Sequence, residues 1–444
     1  MTRSPSRLTG TKLSLLLFGI AVATFAASYG LNVLLARQLP TETYGNLVFA
    51  FRVLGTVAAL SLLGTGTSST RFLARYLTCQ EDENVESFLR WNTRLIRWPL
   101  IASFAIGVST CLAMFCSDIL GFRNIESYHL AVFMLWIAPL FSVVSLLAAY
   151  LLCTDHPVVS TVSSQFTLLT VQLALFVLVL FVLQFPSTEL VITSVLATSA
   201  AVAILVQLVF LHRATPLRMT RLWPKRGERR IETSSTWLSV SLWLIVGQLI
   251  VQAGKLLDVS FLEIAPGEEK QLGYYGAALS ITSLLFIVPR ATLAPLSSRV
   301  SSLLDSPETL GNLEAELGRL VRINAALVIG LGAPIAWFSQ ELLSSFGSGY
   351  ESAQAVLFIS VATAFVAGLG SAAITVVSRA GMEKKLLGIY AADLATLLIL
   401  GAISVGPYGM TGIAAAIFCA ASVRTALAAA CVRKRYGIKP LGFI

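Results

Sequence analysis

The feature that most constrains this chain is a succession of long apolar runs. A helix needs about 20 predominantly apolar residues to cross the hydrocarbon core of a bilayer. Twelve such runs can be drawn in the 444 residues, and charged residues make up only 12% of the chain. Soluble domains carry about a quarter, so most of this surface does not face water. We therefore predict an all-α polytopic membrane protein with 12 transmembrane helices.

The distribution of Lys and Arg predicts the orientation of these helices. With the N-terminus inside, 25 of the 32 Lys and Arg residues fall in inner segments and 3 in outer loops. Such an excess is typical of cytoplasmic loops. We expect a multi-pass protein of the cytoplasmic (inner) membrane with both termini in the cytoplasm. The net charge of +9 comes from these short loops, so no nucleic-acid partner is predicted.

The longest basic loop, Arg213–Arg230, lies at the midpoint of the chain and indicates two halves. The predicted domains are an N-terminal six-helix lobe (1–212), a basic cytoplasmic linker (213–236) and a C-terminal six-helix lobe (237–444). A Tyr-Gly pair opens the second run of each half, at Tyr44-Gly45 and at Tyr275-Gly276. Halves of six spans run in the same direction. They are therefore predicted to be pseudo-twofold-related lobes with a substrate cleft between them.

The seventh run carries polar residues that a lipid-facing helix would not tolerate. Gln248, Gln252, Lys255 and Asp258 recur at spacings of four, three and three, near one face of a helix. Ionisable residues inside the membrane almost always face the bundle interior or a water-filled cavity. This stripe therefore predicts one wall of a polar cleft, and Asn32 on the first run is a candidate for the opposing wall.

Two further cations extend this candidate substrate-binding site. Arg52 lies about 8 Å from the outer end of the second run, and Arg290 about two-thirds of the way inward along the eighth. Together with Lys255 they outnumber Asp258, which predicts a net positive cleft suited to a pyrophosphate or an acidic sugar. Two alternatives stay open: Arg52 can snorkel to the outer interface, and Lys255 and Asp258 can neutralise each other.

Asp393 and Arg424 indicate a different role. Each lies about 11–12 Å from the inner end of its run, and a short GPYG loop joins the two runs. Neighbouring helices with opposite charges at one depth predict a structural ion pair that locks this hairpin.

The residues that metal, cofactor or acid–base chemistry needs do not form recognisable sets. The three His and six Cys residues show no ligand spacing or disulfide framework, so no metal or cofactor is predicted. No G-x-x-x-x-G-K-[ST] motif occurs. The longest outer loop, near Leu262–Tyr275, has acids without a His partner. A membrane glycosyltransferase or ligase is therefore disfavoured, and the protein is not expected to be an enzyme.

Several segments resemble one family of transporters. They are LLARQLPTETYGNLVFA (Leu34–Ala50), LGTGTSSTRFLARY (Leu63–Tyr76), SRAGMEKKLLG (Ser378–Gly388) and GPYGMTGIAAA (Gly406–Ala416). The similarity covers nearly the whole chain. These segments look like the polysaccharide and oligosaccharide-lipid flippases (O-antigen and teichuronic-acid translocases) of the multidrug/oligosaccharidyl-lipid/polysaccharide exporter superfamily.

The resemblance implies a V-shaped transporter of two six-helix lobes. It also implies movement of an undecaprenyl-linked oligosaccharide from the inner to the outer leaflet for surface polysaccharide biosynthesis, by alternating access without ATP hydrolysis. The implied partners are this lipid-linked oligosaccharide, membrane lipid, a polysaccharide polymerase and glycosyltransferases, with the chain itself a monomer. The alternative is a cation-coupled multidrug or small-molecule exporter of the same superfamily. Such an exporter would need buried carboxylates, and the excess of in-span cations argues against it.

Overall fold

The computed structural model is helical throughout the part of the chain that it describes. That part comprises residues 10–120, 130–154, 156–185, 188–214, 234–265, 269–297, 300 and 307–440. Eleven of its helices are long and apolar enough to cross a membrane. The predicted basic linker (213–236) lies for the most part outside the described residues.

The first half of the chain contributes nine helices within the described ranges. They are α1 (Gly10–Gln38), α2 (Thr41–Ser61), α3 (Thr65–Thr78), α4 (Asp82–Ile119), α5 (Leu130–Met134), α6 (Ala138–Cys153), α7 (Pro157–Thr161), α8 (Thr167–Val177) and α9 (Glu189–Ala214). A 3-10 turn, Leu135–Ile137, joins α5 to α6, and a π turn, Val162–Phe166, joins α7 to α8. The second residue of α6 is Pro139, which has no N–H to bond to the preceding turn, and this explains the local change of helix type.

The described part of the second half contains six helices. They are α10 (Ser234–Ile264), α11 (Glu269–Ser297), α12 (Pro307–Trp337), α13 (Ser339–Ser344), α14 (Gln354–Arg379) and α15 (Glu383–Tyr436). A 3-10 turn, Tyr350–Ala353, precedes α14.

The last helix, α15, contains two membrane-spanning segments. Its 54 residues would extend about 80 Å if straight, against about 30 Å of hydrocarbon core. Gly409 interrupts it with φ 51° and ψ −132°, which is not helical. Leu397 packs in one cluster with Ala420, and Gly412 approaches Ser404 closely, so the chain reverses at Gly409. Counting both arms, the described helices give the 12 spans that the apolar runs predict.

The chain forms two compact units by contacts. One unit comprises Met1–Gly45 together with Leu257–Ile444, and the other comprises Asn46–Leu256. These units differ from the predicted lobes, because α1 packs with helices of the second half and most of α10 packs with helices of the first. The predicted division at 213–236 stays a prediction, since most of that segment is not described.

Close approaches at two glycines explain why the start of α2 belongs with the second half. A Cβ on Gly45 would lie 2.9 Å from the Gly273 nitrogen at the start of α11, and a Cβ on Gly273 would lie 2.5 Å from the Thr41 carbonyl oxygen. Only residues without side chains allow backbones to approach so closely. Tyr44 adds to this packing, because its buried ring contacts the ring of Tyr350.

Trp237 is the centre of an aromatic cluster in the unit Asn46–Leu256. This side chain is 1% exposed and contacts the rings of Tyr76, Phe88 and Trp91. Its indole N–H donates to the Tyr76 hydroxyl at 3.0 Å. Because large aromatic side chains contribute most of the buried area in a core, this cluster fixes the start of α10 against α3 and α4.

Each half of the chain contains a buried asparagine that joins three helices. The Asn92 amide on α4 donates to Tyr150 Oη on α6 at 2.8 Å and to Ser69 Oγ on α3 at 3.3 Å. Asn324 on α12 accepts a hydrogen bond from Thr292 on α11 and donates to Ser371 Oγ on α14 at 3.5 Å. Both asparagines are fully buried. The same connection between the second, third and fourth spans thus occurs in both halves, as an internal repeat predicts.

Candidate anion site

The site is built on two helices, α2 and α10, that pack antiparallel in the unit Asn46–Leu256. A Cβ on Gly64 would lie 2.7 Å from the Ser241 carbonyl oxygen and 3.0 Å from the Ile245 nitrogen. Further along, the Gln252 side-chain amide donates to the Gly55 carbonyl oxygen at 3.2 Å. These two contacts determine which residues of α2 lie opposite which residues of α10.

This register places two cations at the same level. Arg52 lies three residues before Gly55, and Lys255 lies three residues after Gln252, so both are about one helical turn beyond the Gln252–Gly55 contact. Arg52 is half-buried and Lys255 is exposed in this structure. Two cations at one level of a helix pair add to the positive potential there, and a positive potential attracts an anion.

The second span is interrupted by a break where it packs against α10. Helix α2 ends at Ser61 and α3 begins at Thr65, with Leu63 and Gly64 between them at φ 47° and 72°. A non-glycine residue in the left-handed region is uncommon. Gly64 tolerates the positive φ and also leaves room for the backbone of α10. The break and the α2–α10 packing therefore depend on the same residue.

Asp258, the fourth residue of the predicted stripe, lies in the other compact unit. Its side chain is 6% exposed, accepts a hydrogen bond from Tyr275 Oη at 3.3 Å, and accepts the Val259 N–H at 2.8 Å. The carboxylate therefore connects the end of α10 to α11. The alternative prediction that Asp258 and Lys255 neutralise each other stays open.

The other predicted site residues have different surroundings. Asn32 donates its amide N–H to the Ser28 carbonyl oxygen at 2.8 Å and accepts from Tyr44 Oη at 3.0 Å, so both ends of this amide are bonded within its own unit. Arg290 lies on α11, but its side chain is outside the described part of the structure. The predicted roles of Asn32 and Arg290 in binding substrate stay predictions.

The predicted contact between Asp393 and Arg424 is present. An Arg424 Nη donates to a carboxylate oxygen of Asp393 at 2.9 Å, across the two arms of α15, and both side chains are largely buried, at 26% and 22% exposed. The short loop and the equal depths predicted this pair, and the hairpin turn at Gly409 does lie midway between the two residues.

Gln248 lies at a cavity that the sequence did not indicate. The cavity has a volume of about 420 Å³ and lies within the unit Asn46–Leu256. It is lined by residues of α3, α6, α7, the following π turn and α10, among them Gly66, Thr70, Ser145, Ser160, Gln165 and Gln248. The signal that could have indicated it is the polar stretch STVSSQ at the start of the fifth span.

No metal or disulfide chemistry is built into the described residues. Among them, no three His, Cys, Asp or Glu side chains lie close enough to hold a metal ion, and all six cysteines are free. The described side chains of the site are cations, amides and hydroxyls, which bind charged and polar groups.

The chain is similar to known transporters over nearly its whole length. The family described as "Polysaccharide biosynthesis protein" matches residues 11–301. An inward-facing multidrug resistance MATE family transporter of the MOP superfamily superposes with a TM-score of 0.71 at 14% identity, over 96% of this chain and 98% of that chain. Among curated proteins, none matches the chain.

Two other solved structures have the same fold. The outward-facing conformation of a multidrug resistance MATE family transporter gives a TM-score of 0.65 at 17% identity, over 96% of this chain and 94% of that chain. A MOP superfamily transporter from Pyrococcus furiosus, described as having a binding pocket of reverse polarity, gives 0.67 at 17% identity, over 98% and 99%. At these identities the likeness shows the fold alone, and it confirms the predicted all-α membrane fold with 12 spans.

Proposed function

Because the chain belongs to the polysaccharide biosynthesis protein family of the MOP superfamily of membrane transporters, we propose that it is a lipid-linked oligosaccharide flippase. It moves an undecaprenyl-linked anionic oligosaccharide from the inner to the outer leaflet of the cytoplasmic membrane. Cytoplasmic glycosyltransferases make this substrate, and a polymerase on the outer side consumes it. The observation that carries the proposal is the pair of cations, Arg52 and Lys255, at one level of the α2–α10 helix pair.

Both cations suit a diphosphate. The Arg guanidinium offers a planar fork of donors to phosphate oxygens, and the Lys ammonium adds a point charge. The energy source follows from the same charge. An inside-negative potential favours outward movement of an anion by about 2.3 kcal/mol per charge per 100 mV. Two phosphate charges would thus supply about 4–5 kcal/mol at 100 mV, which removes the need for a nucleotide.

The alternative, a cation-coupled exporter, has less support in the described residues. Such a transporter binds its cargo and coupling cation through buried carboxylates. Asp258 is hydrogen-bonded to Tyr275, and Asp393 is paired with Arg424. The similar MATE structures are of multidrug resistance transporters, whereas the level of the α2–α10 pair proposed here to bind cargo carries two cations, Arg52 and Lys255.

The test is glycan export in cells that lack the chromosomal copy. Lys255→Ala and Arg52→Ala are each expected to lower surface glycan at least tenfold at unchanged protein level, and Lys255→Arg is expected to keep most of the export. The matched control is Lys270→Ala, which removes a cation that is 65% exposed and lies 4.0 Å from Glu42. Exposed pairs of this kind contribute little, so export should not change.

Two outcomes would contradict the proposal. The first is full export by both Lys255→Ala and Arg52→Ala, since an anion site would then be unnecessary. The second is a deletion strain with unchanged surface glycan and increased drug sensitivity, which would favour the exporter.

A further inference from the structure

We propose that the cavity at Gln248 is a separate subsite for an uncharged sugar unit of the transported headgroup. The inference rests on the proposed function, which it deepens by separating recognition of the sugar from recognition of the diphosphate. The cavity lies within the unit Asn46–Leu256 and has a volume of about 420 Å³, within the range of about 300–1,000 Å³ typical of small-molecule sites.

The chemistry of the lining selects the class of ligand. Its polar side chains are hydroxyls and amides, and among the described residues that line it none is charged. An anion would require a cation there, and a cation would require a carboxylate. A ligand with many hydroxyl groups and no charge fits this lining best, which is the chemistry of a neutral sugar.

The hydroxyls of the lining act as acceptors. Ser160 Oγ donates to the Ala148 carbonyl oxygen at 2.7 Å, Ser164 Oγ to the Ser160 carbonyl oxygen at 2.6 Å, and Ser145 Oγ to the Phe141 carbonyl oxygen at 2.9 Å. Each hydroxyl has one proton and two lone pairs. With the proton committed to the backbone, its oxygen is left to accept from a sugar O–H.

The two amides supply the donors. Neither Gln165 nor Gln248 has a hydrogen-bonding partner among the described residues, and both side chains are exposed where they line the cavity. Each amide offers two N–H donors and a carbonyl oxygen. One amide comes from α10 and the other from the π turn after α7, so the two lie on different walls.

The local backbone supports a binding role. Gln165 and Ser164 lie in the π turn Val162–Phe166, in a span that has no proline at that point. A π turn costs helix stability and occurs frequently at functional sites. The wall formed by α3 begins directly after the break at Leu63–Gly64, so both neighbouring walls depart from regular helix at the cavity.

The position of the cavity relative to the cations matches a sugar attached to a diphosphate. Gln248 and Lys255 are seven residues apart on α10, so they lie on nearly the same face and about 10 Å apart along the helix. The diphosphate at the level of Arg52 and Lys255 would leave the next sugar units to extend toward Gln248.

The experiment compares two probes on the full chain in lipid nanodiscs. One probe is a polyprenyl diphosphate that carries a single N-acetylglucosamine, and the other is the same polyprenyl diphosphate without sugar. Wild type is expected to bind the sugar-bearing probe at least tenfold more tightly. In the double variant Gln165→Leu/Gln248→Leu this difference is expected to fall about tenfold, because each lost hydrogen bond weakens binding severalfold, while the sugarless probe binds as before.

Two further variants distinguish the sugar subsite from the anion site. Lys255→Gln is expected to weaken both probes equally, and Gln340→Leu, which changes an exposed amide on α13, should change neither. Equal binding of the two probes by wild type, or an unchanged sugar preference in the double variant, would overturn the sugar subsite. An insensitive Lys255→Gln would overturn the proposed anion site alone, and failure of wild type to bind either probe would overturn both.

Discussion

Gly64 offers the sharpest test of the α2–α10 packing on which the anion site depends. Its φ of 72° costs a residue with a Cβ about 1–2 kcal/mol. In Gly64→Ala the new methyl would also lie 2.7 Å from the Ser241 carbonyl oxygen and 3.0 Å from the Ile245 nitrogen. Both are backbone atoms of α10, so the helix itself must move, and overpacking of this kind costs about 1–3 kcal/mol. The expected loss of stability is about 2–5 kcal/mol in total.

The assay is the apparent melting temperature of the purified protein in detergent. Unfolding entropy is about 2.1 cal/mol/K per residue, so for a unit the size of Asn46–Leu256 this loss corresponds to a shift of about 5–10 °C downward. The matched control is Gly66→Ala, two residues away in α3, where a Cβ would meet nothing closer than Leu62 Cδ1 at 3.9 Å. Ala is the better helix former, so this control should melt at the same temperature or slightly higher.

If Gly64→Ala melts at the same temperature as wild type, the account of the α2–α10 packing is refuted. The left-handed break and the close approach of α10 would both be wrong. The register that places Arg52 opposite Lys255 would then lose one of its two contacts, leaving only the hydrogen bond between Gln252 and Gly55.

Two further perturbations test the polar contacts between helices. Arg424→Met should destabilise by about 1–3 kcal/mol because it leaves the Asp393 carboxylate without its cation, and Asp393→Leu added to it should recover most of that loss; a double-mutant cycle with no coupling in apparent melting temperature would contradict this. Asn92→Leu and Asn324→Leu should each cost about 1 kcal/mol, the usual size of hydrogen bonds between membrane helices, and the two losses should add in the double variant. Loss in one half only would argue against equivalent roles.

The sequence was sufficient for the spans and for one tertiary contact. Apolar runs of about 20 residues identify membrane helices because the lipid offers no partner for a free backbone group. The Asp393–Arg424 contact was predictable because one short loop joins its two helices. Asp393 and Arg424 lie at equal depths along these helices, and this indicated that they pair with each other.

The remaining features depend on packing between distant segments. Nothing in the composition of α1 or of the start of α2 indicates that they pack with the second half, and for α2 this packing follows from backbone contact at Gly45 and Gly273. The break at Leu63–Gly64 lies inside an apolar run and leaves the periodicity unchanged. The role of the cavity hydroxyls could not be predicted for another reason. Ser and Thr in membrane helices commonly hydrogen-bond to their own backbone, so their presence alone does not indicate a binding site.

The two buried asparagines help to separate structural polar groups from functional ones. Asn92, Ser69 and Tyr150 have counterparts in Asn324, Thr292 and Ser371, which lie between 221 and 232 residues later in the chain. Contacts that persist in both halves of a repeat while the side chains change from Tyr to Ser are those that the fold requires. Arg52, Lys255 and the amides at the cavity do not take part in this repeated network, and Gln165 and Gln248 carry hydrogen-bonding capacity that the described fold does not use. The Gln165 amide in the π turn and the Gln248 amide on the facing wall of the cavity are therefore more readily explained by a ligand than by the fold.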